Sequence, residues 1–299
     1  AIKGVAFKYS NRGKHIITTH YEHKSVTETM EFLSTMGFEI SYVSLKSDGS
    51  IDLKELESLI REDTILVSVC AVNSEVGLKA PLKTIRQIIN KKNPKVIFHS
   101  DMTQALGKIN INLSDVDLAS MSSHKIYAPK GIGLLYKRNN LEIEPLIYGL
   151  TENCPYRGGT PALPLIVSFA KAVRIITENL PANIKVVESL NEMVYNGLKD
   201  LPVHINSNNL CVPQIFNLSL INIKSETFVR AIEKYGVYIS TTTACSSNEP
   251  SSILKYITSD KSINTTSIRI SISHLTTKKE IEEFIVAFHK TYNELLLKE

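Results

Sequence analysis

Short apolar runs alternate with amphipathic stretches over roughly the first half of the chain. The apolar runs consist mostly of Ile, Val and Leu without polar alternation, which is typical of strands covered on both faces. Strands are predicted at residues 15–19, 40–45, 64–70, 95–98, 116–121 and 131–136. Helices are predicted at residues 25–37, 52–60 and 81–91. This alternation predicts an α/β domain with a mostly parallel sheet.

The pattern changes after a long helix that is predicted to begin at Pro161. Later strands, lying among helices, are expected near residues 214–220, 237–240 and 267–271. The last helix is predicted to begin with a capping box formed by Thr277 and Glu280. We therefore predict a large domain over residues 1–177 and a smaller C-terminal α+β domain over residues 178–299.

Composition and charge exclude several classes of protein. The chain has 299 residues, of which 43% are hydrophobic, so it can bury a substantial core, and a chain of this length more often forms two domains than one. The net charge of +4 is spread along the sequence and gives no reason to expect nucleic-acid binding. The four cysteines lack disulfide or zinc spacing, and no apolar run is long enough to cross a bilayer. We expect a protein of a reducing, cytoplasmic compartment that binds neither membrane nor nucleic acid directly.

Polar side chains follow three of the predicted strands at the point where each strand ends. They are Asn73, Ser74, Asp101, Gln104, Ser122, His124 and Lys125. Ligand-binding groups of a parallel sheet collect at that edge. A lysine can form a Schiff base with an aldehyde cofactor, and a carboxylate can keep a pyridine nitrogen protonated so that the ring withdraws electrons. Each residue alone has a simpler explanation, since an Asp after a strand is usually a helix cap and a single Lys is usually a solvated charge.

Six segments spread over nearly the whole chain carry recognisable motifs. They are residues 19–26, 99–108, 122–133, 157–160, 244–251 and 267–271. The third segment reads Ser-Ser-His-Lys-Ile-Tyr-Ala-Pro-Lys-Gly-Ile-Gly, and the fifth begins Ala-Cys-Ser-Ser. In this order the segments closely resemble the motifs of the NifS/IscS-type cysteine desulfurases. The resemblance implies a pyridoxal phosphate (PLP) enzyme of fold type I, within the class-V aminotransferase family.

The resemblance implies roles for the residues around the cofactor ring. Lys125 is expected to carry PLP and to move protons at the substrate carbon. Asp101 is expected to pair with the pyridine nitrogen, and His23 to stack on the ring and assist proton transfer. Gln104 and Ser74 are expected near the ring hydroxyl. Because position 74 is Ser where many relatives have Asn, we expect that hydrogen bond to be altered.

Phosphate and substrate groups are implied in the same way. Ser122 and His124 are expected to bind the phosphate, and Thr160 to contribute across the interface of a homodimer. Arg269 is expected to hold the carboxylate of L-cysteine through a planar fork that lysine cannot reproduce. Asn73 is also expected at the substrate.

Cys245 is the expected nucleophile. Its thiolate would attack the substrate sulfur, leaving L-alanine and a persulfide that passes to an acceptor protein, either an iron–sulfur scaffold or a tRNA-thiolation enzyme. Polar residues surround Cys245, which favours an exposed reactive thiol over a buried structural one. Cys154 is a weaker candidate for reactivity, whereas Cys70 and Cys211 are expected in the core.

Three other interpretations are compatible with these residues. The chain could be a PLP aminotransferase or lyase, although a reactive Cys245 counts against it, or it could be a selenocysteine lyase. It could also be an inactive, truncated subunit that binds a partner. The last alternative arises because relatives carry a phosphate-binding Gly-Ala-Thr turn before the residues that match 1–4, whereas this chain starts within a predicted helix. Residues 1–299 alone are therefore expected to bind PLP poorly.

Overall fold

The computed structural model describes residues 1–149, 155–241, 251 and 253–297. The chain divides into two compact units, which we call the large unit and the small unit. The large unit comprises Ala1–Ser44, Ile51–Asn73 and Ala80–Asn179. The small unit comprises Leu45–Ser50, Ser74–Lys79 and Leu180–Glu299.

Among the described residues of the large unit, six strands form one sheet. They are β1 (His15–Thr19), β2 (Glu39–Val43), β3 (Thr64–Ser68), β4 (Ile97–Asp101), β5 (Leu118–Ser122) and β6 (Gly133–Lys137). Their order in the sheet is β2-β1-β3-β4-β5-β6, and only the β5–β6 pairing is antiparallel. The mostly parallel sheet predicted from the apolar runs is thereby confirmed.

Helices of the large unit supply the apolar cover that these strands need. They are α1 (Ile2–Lys8), α2 (Lys24–Thr35), α3 (Leu53–Leu59), α4 (Leu82–Lys92) and α5 (Leu163–Glu178). One buried cluster packs Val5 of α1 and Met30 of α2 against Ile16 of β1 and Ile65 of β3. All five residues of β1, β3 and β4 are buried, which explains why their sequences do not alternate.

A buried histidine ties three neighbouring strands of this sheet together. His99 of β4 pairs its Nδ1 with the hydroxyl of Ser68 on β3 at 2.9 Å, and its Nε2 with the hydroxyl of Ser120 on β5 at 2.8 Å. Burial lowers the pKa of His99 to about 3, so the ring is neutral at physiological pH. His15 of β1 makes a similar bridge to Thr64 and Ser41.

In the described part of the small unit, four strands form an antiparallel sheet with the order β7-β8-β10-β9. Its strands are β7 (His204–Ile205), β8 (Ile215–Ser219), β9 (Ser240–Thr241) and β10 (Ser267–Ser271). Its helices are α6 (Leu180–Leu198), α7 (Ser225–Ile232), α8 (Leu254–Ile257), α9 (Lys261–Asn264) and α10 (Lys278–Leu296). Apolar residues of α6, α7 and α10 pack together with β8 and β10 to form the core. Thr277 and Glu280 form the predicted capping box of α10.

Two sequence predictions for the second half of the chain were imprecise. The strand expected at 237–240 begins only at Ser240, because the chain turns through Gly236 at φ 73° and reaches β10 three residues later than predicted. The long helix expected from Pro161 begins at Leu163 and ends at Glu178, and a separate helix starts at Leu180. Of the described helices, none is long and apolar enough to cross a membrane.

Candidate active site

The carboxyl ends of four adjacent parallel strands bring several predicted cofactor residues to one edge of the large unit. His23 follows β1, Asn73 follows β3, Asp101 ends β4 and Ser122 ends β5. Strand pairing continues past the regular ends, where the Ala71 N–H donates to the Asp101 carbonyl at 2.9 Å. The structure thus gathers at one edge groups that are separated by up to about a hundred residues along the chain.

Asp101 makes the capping contact that was the simpler of its two interpretations from the sequence, and one of its oxygens is left over. Its Oδ1 accepts a hydrogen bond from the Thr103 N–H at 2.9 Å, as in a capping turn. Its Oδ2 accepts no hydrogen bond from the part of the chain that the structure describes. Asp101 is buried and Gln104 is half-buried in the turn that follows. One carboxylate oxygen is therefore fixed by the backbone, and the other is available to a ligand.

Lys125 lies in a single turn of 3-10 helix, Ser123–Ile126, that directly follows β5. The turn ends at Tyr127, which adopts the left-handed region at φ 67°, an uncommon conformation for a residue other than glycine. Ser123 is buried, and its hydroxyl donates to the Pro129 carbonyl. The Ser123 side chain therefore closes the loop that carries Lys125.

Ser122 and His124 border an open depression of about 650 Å³. The Ser122 hydroxyl lies 2.8 Å from Nδ1 of His124. The remaining lining residues are Lys130, Gly131, Ile132 and Gly133. A hydroxyl, an imidazole, an ammonium group and glycine backbone form a donor set suited to an anion such as phosphate. Lys130 was not singled out from the sequence, although it stands only five residues after Lys125 in the same motif.

His23 is the N-cap of α2, and its side chain is exposed. Its Nδ1 accepts a hydrogen bond from the Ser25 N–H at 3.2 Å and lies 3.0 Å from the Ser25 hydroxyl. In the neutral ring this assigns the proton to Nε2. The helix start therefore fixes the ring and leaves Nε2 as a proton donor.

Two ionisable residues at this edge were not singled out from the sequence. Burial raises the pKa of Glu22 to about 8, and the neighbouring Asp101 adds to the rise. Burial and, to a smaller extent, the positive charge of Lys125 together lower the pKa of Lys108 to about 8. The available sequence signal was position alone, since Glu22 directly precedes His23 and Lys108 ends the segment that begins at residue 99.

Arg269 lies on β10 in the small unit and is half-buried. Its Nη1 donates to the Ser74 carbonyl at 3.0 Å, and its Nη2 donates to the Ser240 hydroxyl at 3.4 Å. Its Nε is buried and has no hydrogen-bond partner among the described residues. Burial lowers the pKa of Arg269. A buried guanidinium with an unused donor is suited to an anionic ligand.

The predicted nucleophile Cys245 and the weaker candidate Cys154 lie outside the described residues. Cys70 is buried as expected, and burial raises the pKa of its thiol. Cys211 was expected in the core but is only half-buried, because it belongs to an edge turn in which its Sγ accepts from the Asn208 N–H at 3.4 Å. Thr160 is exposed in the segment before α5 and does not line the depression beside His124.

Comparison with known proteins identifies the family. The class-V aminotransferase profile matches residues 1–284. The chain is 38% identical over 301 residues to the cysteine desulfurase IscS of Proteus mirabilis, an alignment that covers 99% of this chain and 74% of that relative. This chain belongs to the class-V aminotransferases, and among them to the cysteine desulfurases. It is also 38% identical to cysteine desulfurase IscS of Histophilus somni strain 2336, over 94% of this chain and 71% of that relative.

Solved structures of cysteine desulfurase relatives have the same fold. A NifS-like protein superposes with a TM-score of 0.91 at 37% identity, covering 99% of this chain and 79% of the other. A NifS-like protein from Rickettsia africae gives a TM-score of 0.86 at 28% identity, covering 97% of this chain and 79% of the other. The predicted PLP fold, enzyme class and cofactor are thereby confirmed.

The residues at the sheet edge fit PLP. Asp101 offers a free carboxylate oxygen for a protonated ring nitrogen, and Lys125 lies one short turn beyond the neighbouring strand. Ser122 and His124 border a depression with an anion-binding donor set. A carboxylate, an amine and an anion-suited donor set are the groups that the ring nitrogen, the aldehyde and the phosphate of PLP require.

Proposed function

We propose that this cysteine desulfurase takes sulfur from free L-cysteine and carries it as a persulfide on Cys245. The observation that carries the proposal is the arrangement of Asp101, Lys125 and the anion-suited depression beside His124 at the ends of β4 and β5. PLP, when bound, supplies an electron sink that stabilises negative charge on the substrate carbon. The residues of the chain have to bind that cofactor, orient the substrate, move protons and accept sulfur.

Cofactor binding is assigned to groups of the large unit. Lys125 binds the cofactor covalently, and its amine later moves the proton at the substrate α-carbon. The free Oδ2 of Asp101 holds the proton on the ring nitrogen. His23 stacks on the ring, and Gln104, in the turn that follows β4, binds the ring hydroxyl.

Phosphate and ring-edge contacts complete the cofactor site. Ser122 and His124 bind the phosphate, and the missed Lys130 adds a positive charge on the same depression. Thr160 contributes to the phosphate from the second subunit of a homodimer. Ser74 takes the place of the family's asparagine near the ring hydroxyl.

Substrate binding and sulfur transfer are assigned to Arg269, Asn73 and Cys245. The guanidinium of Arg269 binds the carboxylate of L-cysteine, and the Asn73 side chain supports the substrate. The Cys245 thiolate attacks the substrate sulfur, so that an S–S bond forms as the substrate's carbon–sulfur bond breaks. The carbon that loses sulfur keeps the bonding electrons and takes up a proton, which leaves L-alanine and the persulfide.

A homodimer is supported by exposed apolar side chains in the large unit. They include Leu134, Leu135, Leu146, Ile147, Leu163, Ile166, Val167 and Ile175, whose exposed fractions range from 41% to 64%. Leu163, Ile166 and Val167 are neighbours at helical spacing on α5, and clustered exposed apolar side chains of this kind are typical of an interface. The sulfur then passes to an acceptor protein in the cytoplasm, either an iron–sulfur scaffold or a tRNA-thiolation enzyme.

Because residues 1–299 are expected to bind PLP poorly, mass spectrometry of the protein after incubation with saturating PLP and L-cysteine tests the function. We expect the mass of one sulfur atom to be added at Cys245, together with formation of L-alanine. Cys245→Ser should abolish both, whereas Cys211→Ser serves as the matched control and should retain both. Persulfide on Cys154, with full turnover in Cys245→Ser, would contradict the assignment.

A further inference from the structure

Glu22 is a buried carboxyl that none of the proposed steps uses. Only 7% of its surface is exposed. Its Oε1 accepts hydrogen bonds from the Cys70 N–H at 2.7 Å and from the Thr19 hydroxyl at 2.9 Å. Carboxyl groups are rarely buried without a positively charged partner, and no described ion pair includes Glu22.

The side chain of Glu22 extends the pairing of the sheet beyond the end of β1. Strand β3 lies between β1 and β4. Past the end of β3, the Ala71 N–H donates to the Asp101 carbonyl on the β4 side, and the Cys70 N–H donates to Glu22 on the β1 side. Because β1 ends at Thr19, the carboxyl oxygen takes the place of a further strand carbonyl. A second contact, from Asn73 Nδ2 to the Tyr21 carbonyl at 2.9 Å, ties the same two segments.

The surroundings of Glu22 disfavour its ionised form. Its Oε2 is buried and has no hydrogen-bond partner among the described residues. A carboxylate would place part of its charge on this unsolvated oxygen, whereas a carboxylic acid places only a hydroxyl there. The titratable groups that face it are the Cys70 thiol from β3 and the Asp101 carboxylate from β4. A negative charge on either of these two groups opposes a negative charge on Glu22.

We propose that Glu22 is a positioning residue that acts as a neutral carboxylic acid. It fastens the segment that leads to His23 onto the end of β3, and it leaves the negative charge at this edge to Asp101. The inference rests on the proposed cofactor site for its role in the reaction. The protonation of Glu22 can nevertheless be measured in the protein without cofactor.

The pH dependence of stability follows from this protonation. The ordinary pKa of a glutamate is 4.5, and burial raises that of Glu22 to about 8. Between these values the folded chain holds a proton that the unfolded chain has lost. The stabilisation from the protonated Glu22 is therefore fully present below pH 4.5 and is lost as the pH rises to about 8. The equilibrium constant for folding should fall by about tenfold per pH unit in this window from Glu22 alone.

Urea unfolding of the cofactor-free protein from pH 5 to pH 8 tests the inference, with wild type, Glu22→Gln and Glu28→Gln compared. Glutamine keeps an acceptor for Cys70 and Thr19 but cannot ionise. In the wild type, the equilibrium constant for folding should fall with pH more steeply than in Glu22→Gln. The difference should be about tenfold per pH unit. Glu28 is an exposed carboxyl on α2, so Glu28→Gln should follow the wild type. Equal pH slopes in wild type and Glu22→Gln would overturn the inference, because Glu22 would then be ionised in the folded state.

A second variant separates positioning from simple burial. Glu22→Met preserves the approximate volume and removes the acceptor of two buried donors. We expect Glu22→Gln to keep PLP binding and turnover at pH 7, and Glu22→Met to lower kcat and alter the absorbance of bound PLP. Equal behaviour of the two variants would refute the positioning role. If no variant binds PLP while the pH slopes differ as expected, the proposed function fails and the protonation of Glu22 stands.

Discussion

Replacing Arg269 with lysine retains the positive charge and removes the planar guanidinium. Arg269 donates to the Ser74 carbonyl at 3.0 Å and to the Ser240 hydroxyl at 3.4 Å, while its buried Nε has no partner among the described residues. A lysine has a single nitrogen, so it cannot hold the Ser74 carbonyl and present a two-point fork to a carboxylate at the same time. We expect R269K to fold and to bind L-cysteine weakly.

The size of the effect follows from the hydrogen bonds that are lost. A hydrogen bond to a charged group contributes about 1.5–3 kcal/mol. Loss of one such bond to the substrate carboxylate corresponds to a roughly 10- to 150-fold weaker affinity. The carboxylate does not change during the reaction, so the same contact stabilises the bound substrate and the transition state. KM should therefore rise by this factor, and kcat should change much less.

The assay is the rate of L-alanine formation over a range of L-cysteine concentrations, with thermal unfolding as a check on the fold. Ser240→Ala is the matched control, because it removes only the longer of the two hydrogen bonds and leaves the guanidinium in place. Its KM should stay close to that of the wild type. An unchanged KM in a stably folded R269K would refute the assignment of Arg269 to the substrate carboxylate.

Two further predictions concern the cofactor and the core. Lys125→Ala should abolish the yellow colour of the PLP-loaded protein, and borohydride reduction followed by peptide mapping should locate the pyridoxyl group on Lys125 in the wild type; a label on another lysine would contradict this. The pKa of His99 falls from 6.5 to about 3 on burial, so its neutral ring contributes stability that is fully present above pH 6.5 and is lost as pH falls towards 3. That loss amounts to at most about 5 kcal/mol. In urea unfolding, the free energy of unfolding of His99→Gln should depend less steeply on pH in acid than that of the wild type. An equal pH dependence in both proteins would show that His99 is not held neutral.

The parallel sheet could be predicted because burial on both faces leaves a signature in composition. All residues of β1 and β3 are buried, and these strands are rich in Ile, Val and Leu. The sequence of residues 237–240 carries a similar signature, yet only Ser240 pairs in the sheet. Pairing there depends on where the chain leaves the turn at Gly236, and local composition contains no information about that position.

The candidate site could be predicted only in part for a comparable reason. Asp101, Ser122 and Lys125 belong to motifs at strand ends, so their position at one edge followed from the parallel sheet. Glu22 could not be found in this way. Glu22, His23 and Lys24 look in the sequence like a solvated charged stretch, and the burial of Glu22 results from the end of β3 lying against it.

The buried groups around this edge limit the charges that would act on a cofactor bound at the proposed site. His99 is neutral because burial holds its pKa near 3, and burial raises the pKa of the Cys70 thiol. Glu22, with a pKa of about 8, is mostly protonated at neutral pH and adds little charge. Asp101 is thus the acid at the strand ends that remains able to bind a positive ring nitrogen. A chain that buried Glu22 as a carboxylate would place a second negative charge near Asp101, and desolvating that charge would destabilise the fold. Retaining the proton avoids this cost and still supplies the acceptor that Cys70 and Thr19 require.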